Sequence, residues 1–166
     1  MYSLWLIPDN HTFQKLNKLI VDLSTQHNTP KFEPHVTLLS GIIDNADIAI
    51  EKTQKLAEQF DSISAALTNI EYLELFYKCL FFRTDDSQGI FEMREAAEEL
   101  FEHTQVNPFV PHVSFLYGAL PIFEKKEIIA QLDDHFFVDF NMTKLQLVKT
   151  QLTPDHWKVL EEVELN

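Results

Sequence analysis

Apolar positions along this chain recur with a period near two in some stretches and near 3.6 in others, and the switches between the two predict its elements. Residues 2–7 read as a first strand, stopped by Pro8. Asp9 or Asn10 can cap a helix whose apolar stripe is Phe13, Leu16, Ile20 and Leu23. A short strand is expected after Pro34. Asp44 or Asn45 then caps a second helix, with Ala49, Thr53, Leu56, Ala57 and Phe60 along one face. Residues 63–83 form a long β segment, expected to break into two or three strands with poorly marked turns. Ile90, Met93, Ala97, Leu100 and Phe101 make a third helical stripe with Gly89 at its start. Another short strand follows, then a helix opened by Pro121 with Ile128, Ile129 and Leu132 inward. Residues 136–148 are expected to be β, and residues 157–165 a last strand.

This order contains one unit twice. Phe32-Glu33-Pro34-His35-Val36-Thr37-Leu38-Leu39-Ser40-Gly41 returns 77 residues later as Phe109-Val110-Pro111-His112-Val113-Ser114-Phe115-Leu116-Tyr117-Gly118. Ile63, Ala65, Leu67, Thr68 and Ile70 align with Val138, Phe140, Met142, Thr143 and Leu145 at an offset of 75. Trp5 precedes His35 by 30 residues, and Phe82 precedes His112 by the same number. The unit is β-α-β-α-β, repeated over about residues 1–76 and 77–150. Such an order predicts an α+β fold rather than an alternating parallel sheet. No Gly/Ser/Pro-rich linker divides the halves, so residues 1–166 are expected to form a single bilobal domain.

Composition narrows the partners. The 166 residues carry 13 basic and 26 acidic side chains, a net charge of −13, which argues against long nucleic acids as ligands. A small phosphate-bearing molecule held by a few focused groups stays compatible with that charge. Cys79 is alone, so no disulfide is expected within the chain, and a buried thiol in a reducing cytoplasm fits. The first residues lack the basic start and long apolar run of a signal peptide or membrane span. A soluble monomer is expected.

The repeated ten residues carry the candidate chemistry. Side chains two apart on a strand share a face, so His35 points with Thr37 and His112 with Ser114. The bland alternative is a pair of core strands whose imidazoles are satisfied by backbone, but polar groups on a core face demand partners. Two imidazoles and two hydroxyls facing one anion suit phosphodiester hydrolysis without a metal. One neutral imidazole takes a proton from water while the other, protonated, gives one to the leaving sugar oxygen. The hydroxyls would donate to the non-bridging phosphate oxygens. The remaining histidines, His11, His27, His103, His135 and His156, show no metal-ligand spacing and are expected to be solvated or capping. Asp85-Asp86, Glu98-Glu99 and Asp133-Asp134 read as solvated faces. No phosphate loop or dinucleotide-binding glycine pattern occurs.

On these paired motifs, with the opening Tyr-Ser-Leu-Trp-Leu-Ile-Pro and the closing Trp157-Lys-Val-Leu, the chain resembles the two-histidine phosphoesterase superfamily. Within it, it is most similar to the cyclic phosphodiesterases of plants and yeast. The resemblance spans nearly the whole chain. It implies two lobes, each an antiparallel sheet with outer helices, facing across a central cleft. By position it makes His35 and His112 the acid–base pair, Thr37 and Ser114 the phosphate holders, and Trp5 and Tyr117 residues lining the cleft beside the sugar or base. For Trp5 the alternative is core packing, and for Tyr117 a solvated phenol. The implied reactions open a nucleoside 2′,3′-cyclic phosphate to the 2′-phosphate, or ADP-ribose 1″,2″-cyclic phosphate to the 1″-phosphate, with no cofactor or metal. Rival readings are action on RNA termini or 2′-5′ linkages, and a non-catalytic nucleotide- or RNA-binding module. Plant relatives carry disulfides that a single cysteine cannot form.

Overall fold

A computed structural model describes residues 1–85, 88–104, 108–132, 136 and 138–166. Its elements run β1 (Tyr2–Pro8), α1 (Asn10–His27), β2 (Val36–Ile42), α2 (Ala46–Ala57), β3 (Ile63–Glu71), β4 (Leu80–Thr84), α3 (Gln88–Leu100), β5 (His112–Leu116), α4 (Ile122–Gln131), β6 (Asp139–Lys149) and β7 (Lys158–Glu164). The α+β class holds, and the order β-α-β-α-β does occur twice before β7. Asp9 caps α1 by accepting from the Thr12 amide, and Asn45 caps α2 by accepting from the Asp47 amide.

Residues 63–83 break, as expected, into two strands, here around a 3₁₀ turn at Phe76–Lys78. Other boundaries differ from the expectation. Phe136 is buried outside any strand, and β6 begins only at Asp139. Trp157 follows a 3₁₀ turn at Pro154–His156 and precedes β7. Asp86, Asp133, Asp134 and His135 lie outside the described residues.

All pairings among the described strands are antiparallel, in the order β2-β1-β6-β3-β4-β5 with β7 beside β6. The third strand of each repeat therefore crosses to the other half: β6 pairs with β1, and β3 with β4. β3 and β6 also pair with each other, and there Ala65 sits opposite Phe140, its own counterpart at the 75-residue offset. Helices cross in the same way. α1 packs on β5 as well as β1, and α3 on β2 as well as β3. One apolar cluster draws on both halves, from Leu4, Leu6, Leu16 and Ile20 to Phe82, Met93, Phe115 and Leu147. Each such fully buried side chain contributes about 1.5–3 kcal/mol.

The repeated motif encodes a repeated irregularity. Leu4 pairs with Leu39 and Trp5 with Thr37, which leaves Leu38 over as a bulge. Leu80 pairs with Leu116 and Phe81 with Ser114, which leaves Phe115 over at the matching place. A bulge bends a strand and re-aims its side chains. Here it lets Leu38 and Phe115 stay fully buried while the His and hydroxyl before them face a cavity. Gly41 is a second surplus residue in β2, with φ +81°, and Gly118 has φ +143°, backbone that residues with a Cβ rarely adopt.

Candidate active site

The cavity between the two motif strands has a volume of about 700 Å³. Its walls include all six residues singled out from the sequence: His35, Thr37, His112, Ser114, Trp5 and Tyr117. They arrive by strand register. His35 precedes β2 and Thr37 lies within it; His112 and Ser114 lie in β5; Trp5 stands opposite Thr37 on β1.

Both imidazoles are held alike. The Nδ1 of His35 lies 2.6 Å from the Glu33 carbonyl, and the Nδ1 of His112 lies 2.7 Å from the Val110 carbonyl. A carbonyl only accepts, so each neutral ring carries its proton on Nδ1 and keeps Nε2 to take or give another. Burial pushes His35 down to about 3; its bond to Glu33 opposes that fall and the neighbouring His112 adds to it. Burial also pushes His112 down to about 4. The Val110 carbonyl and Glu71 work against this, while Lys78 and Arg83 reinforce it. Without a bound anion both rings are therefore neutral at pH 7.

Their surroundings are unequal. Trp5, only 4% exposed, lies flat on His35 with ring centroids 3.6 Å apart and planes 8° apart. The side chain opposite Ser114 is Phe81, which meets His112 edge-on at 5.1 Å. The structural counterpart of Trp5 is thus Phe81 and not Phe82, because the second repeat has one more residue between strand and motif. Phe82 packs on Phe115 and Phe136 in the core. Both readings of Trp5 apply: it is packed in a buried cluster with Ile7 and Val148, and it lines the cavity.

The hydroxyls differ too. Ser114 Oγ donates to the Tyr77 carbonyl at 3.0 Å, whereas no hydrogen bond from Thr37 Oγ1 occurs among the described residues. Tyr117 is buried, not a solvated phenol. It stacks on Phe32 at 3.6 Å and meets Tyr77 edge-on at 5.2 Å, and burial pushes its hydroxyl upward.

Other residues at the cavity were not foreseen. Tyr77 and Lys78 come from the turn after β3, inside the β segment 63–83 whose turns the apolar pattern marks poorly. His103, expected to be solvated or capping, donates from Nε2 to the Ser40 carbonyl at 2.9 Å. Arg94 on α3 is buried and donates to the carbonyl of the bulged Leu38 at 2.8 Å. It also binds Glu98 at 2.5 Å and lies over the Phe109 ring, so Glu98 is not part of a solvated face. Nor is Asp85, whose carboxylate accepts from the Ala66 amide. The signal for Arg94 was its place beside Met93 on the apolar stripe of α3. Among the described residues no group of three or more His, Cys, Asp or Glu is placed to hold a metal ion, and no helix is long and apolar enough to cross a membrane.

The same fold is found in the Thermus thermophilus protein TT0787, with a TM-score of 0.68 at 17% identity, covering 99% of this chain and 97% of that one. E. coli LigT, solved with 3′-AMP, superposes with a TM-score of 0.66 at 12% identity, covering 99% and 97%. Fold and paired motifs together define a two-histidine phosphoesterase. Residues 1–165 match the family described as cyclic phosphodiesterase-like protein, and the chain belongs to that family. A cyclic phosphodiesterase of Arabidopsis thaliana is 27% identical over 173 residues, covering 100% of this chain and 96% of the relative. The chain is accordingly an enzyme of the cyclic phosphodiesterase class.

Proposed function

We propose that this enzyme opens nucleoside 2′,3′-cyclic phosphates, ADP-ribose 1″,2″-cyclic phosphate, or both, with His35 and His112 as a metal-free acid–base pair. The observation that carries the reading is the pair of imidazoles fixed through Nδ1 at one cavity, each two residues from a hydroxyl. One Nε2 accepts a proton as water attacks phosphorus. The other, protonated, donates to the sugar oxygen as its bond to phosphorus breaks. One P–O bond forms, one breaks, and the proton inventory of the pair is unchanged. Thr37 and Ser114 donate to the non-bridging oxygens, for which Ser114 must turn from the Tyr77 carbonyl. Trp5 holds the plane of His35, and Tyr117 with Tyr77 walls the space for sugar and base. A site of this size suits a mononucleotide, and 3′-AMP is one of the ligands with which E. coli LigT was solved.

Turnover of nucleoside 2′,3′-cyclic phosphates in excess chelator, with products separated by chromatography, tests this directly. Formation of the 2′-phosphate is expected. No turnover on any cyclic phosphate would overturn the hydrolase reading for these substrates. Activity abolished by chelator would overturn the metal-free mechanism, and a 3′-phosphate product would mean that the other sugar oxygen leaves. Linear RNA ends and 2′-5′ dinucleotides run beside them, with weaker turnover expected on this acidic protein.

A further inference from the structure

Two basic side chains, Lys78 and Arg94, line the cavity among the described residues besides its histidines. Arg94 is already committed to the Leu38 carbonyl, Glu98 and the Phe109 face. Lys78 closes the 3₁₀ turn Phe76–Lys78, is half-buried, and has no carboxylate partner among the described residues. Its turn is well anchored. The Phe76 carbonyl accepts from the Gly118 amide, the Tyr77 carbonyl accepts from Ser114, and the buried Lys125 donates to the Leu73 carbonyl at 2.7 Å. The strand pairing that matches Phe81 with Trp5 places Tyr2 at the position of the first repeat that corresponds to Lys78, so this cation serves one side of the pair.

A cyclic phosphodiester enters carrying one negative charge and leaves as a monoester carrying up to two. The cleft meets it with two neutral imidazoles and one uncommitted ammonium. Burying an ammonium without a counter-charge is unfavourable, and an anion in the cavity would supply that counter-charge. We infer that Lys78 is a phosphate-contacting residue, binding a non-bridging oxygen of the reacting phosphate from the His112 side. This rests on the reaction proposed above. It makes the site directional: the His112 half carries the fixed charge and the His35 half carries the stacked indole. The charged groups bearing on His112 are Lys78, Arg83, Glu71 and His35, and Glu71 lies 3.8 Å from Arg83. Removing Lys78 therefore raises the pH at which His112 titrates.

Wild type, Lys78→Met and Lys78→Arg are compared by kcat and KM on a nucleoside 2′,3′-cyclic phosphate, by inorganic phosphate affinity, and by NMR titration of the His112 ring. Lys78→Met is expected to lower kcat/KM tenfold or more and weaken phosphate binding to a similar degree. His112 should titrate at higher pH, with an unchanged thermal melt. Lys78→Arg should recover most of the rate. Unchanged kcat/KM and phosphate affinity in Lys78→Met would overturn the inference, as would a lost rate with unmoved phosphate affinity and His112 titration. If wild type opens no cyclic phosphate, the reaction is overturned, and the phosphate arm still decides whether Lys78 is an anion contact.

Discussion

The two copies of the motif share a backbone and differ in everything that surrounds it. Each has a His bonded through Nδ1 to the carbonyl two residues before it, a hydroxyl two residues on, and a bulge immediately after. Around His35 the protein places a flat indole and deep burial, 6% exposed. Around His112 it places an edge-on phenyl, the Lys78 ammonium and a hydroxyl already bonded to the Tyr77 carbonyl. The lesson is a division of labour between what duplicates and what diverges. Backbone register puts the imidazoles and hydroxyls in place, whereas neighbours from outside the ten residues give each half its own electrostatics.

Removing the imidazoles should break the comparison most severely. His35→Ala and His112→Ala are each expected to lower kcat by about 10²–10⁴-fold, the range for a general acid or base. The double variant should be little worse than either single one, because the two act as a unit. A half that retained near-normal turnover without its imidazole would show that only one copy is catalytic.

The hydroxyls come next. Thr37→Val and Ser114→Ala should each cost up to about 10²–10³-fold in kcat if they donate to developing charge on phosphate. They should separate on stability. Ser114→Ala strips a donor from the Tyr77 carbonyl and is expected to cost about 0.5–1.5 kcal/mol in a urea melt, while Thr37→Val loses no such bond. Equal melts would mean that the Ser114–Tyr77 contact is inconsequential for folding.

The two halves also separate in their pH dependence. In the unfolded chain both histidines titrate near 6.5; folded, His112 lies at about 4 and His35 at about 3. As pH falls below 6.5 the unfolded state takes up the protons first, so stability falls. The slope is up to about 1.4 kcal/mol per pH unit for each histidine until its folded value is passed. Comparing wild type with His35→Asn and His112→Asn isolates these slopes from those of the carboxylates, and the His35 slope should persist to lower pH. The kinetic counterpart is a basic limb of kcat lying above that of kcat/KM, because bound phosphate favours the imidazolium. Coincident limbs would contradict that.

Much of the site is legible in the chain alone. The repeated ten residues name both imidazoles and both hydroxyls, since strand periodicity by itself puts residues two apart on one face. Helix caps at Asp9 and Asn45 are marked by residue type. What escapes is set by contacts that no period encodes. Tyr77 and Lys78 enter the cleft from a turn that lacks Gly, Pro or Asn, so residues 63–83 give no clear sign of where the β structure breaks. Arg94 and His103 reach carbonyls 56 and 63 residues away in sequence. The Phe81 pairing is hidden by one extra residue, which a fixed offset of 77 cannot register.

The strand exchange has a mechanical consequence. Because β3 and β6 each leave their own repeat and bond across to the other, the two halves are joined like a lap joint rather than a hinge. Pulling them apart means tearing three ladders, β1–β6, β3–β4 and β3–β6, the last of which holds Ala65 against Phe140. The gap between the imidazoles is thus a backbone dimension, set when the sheet forms, and fitting a substrate falls to side chains and to the tethered turn that carries Tyr77. A fragment ending near residue 76 would keep β1, α1, β2, α2 and β3 but lack its strand partner β6. Each repeat thus carries an unpaired strand edge that only the other repeat covers, so neither is closed on its own.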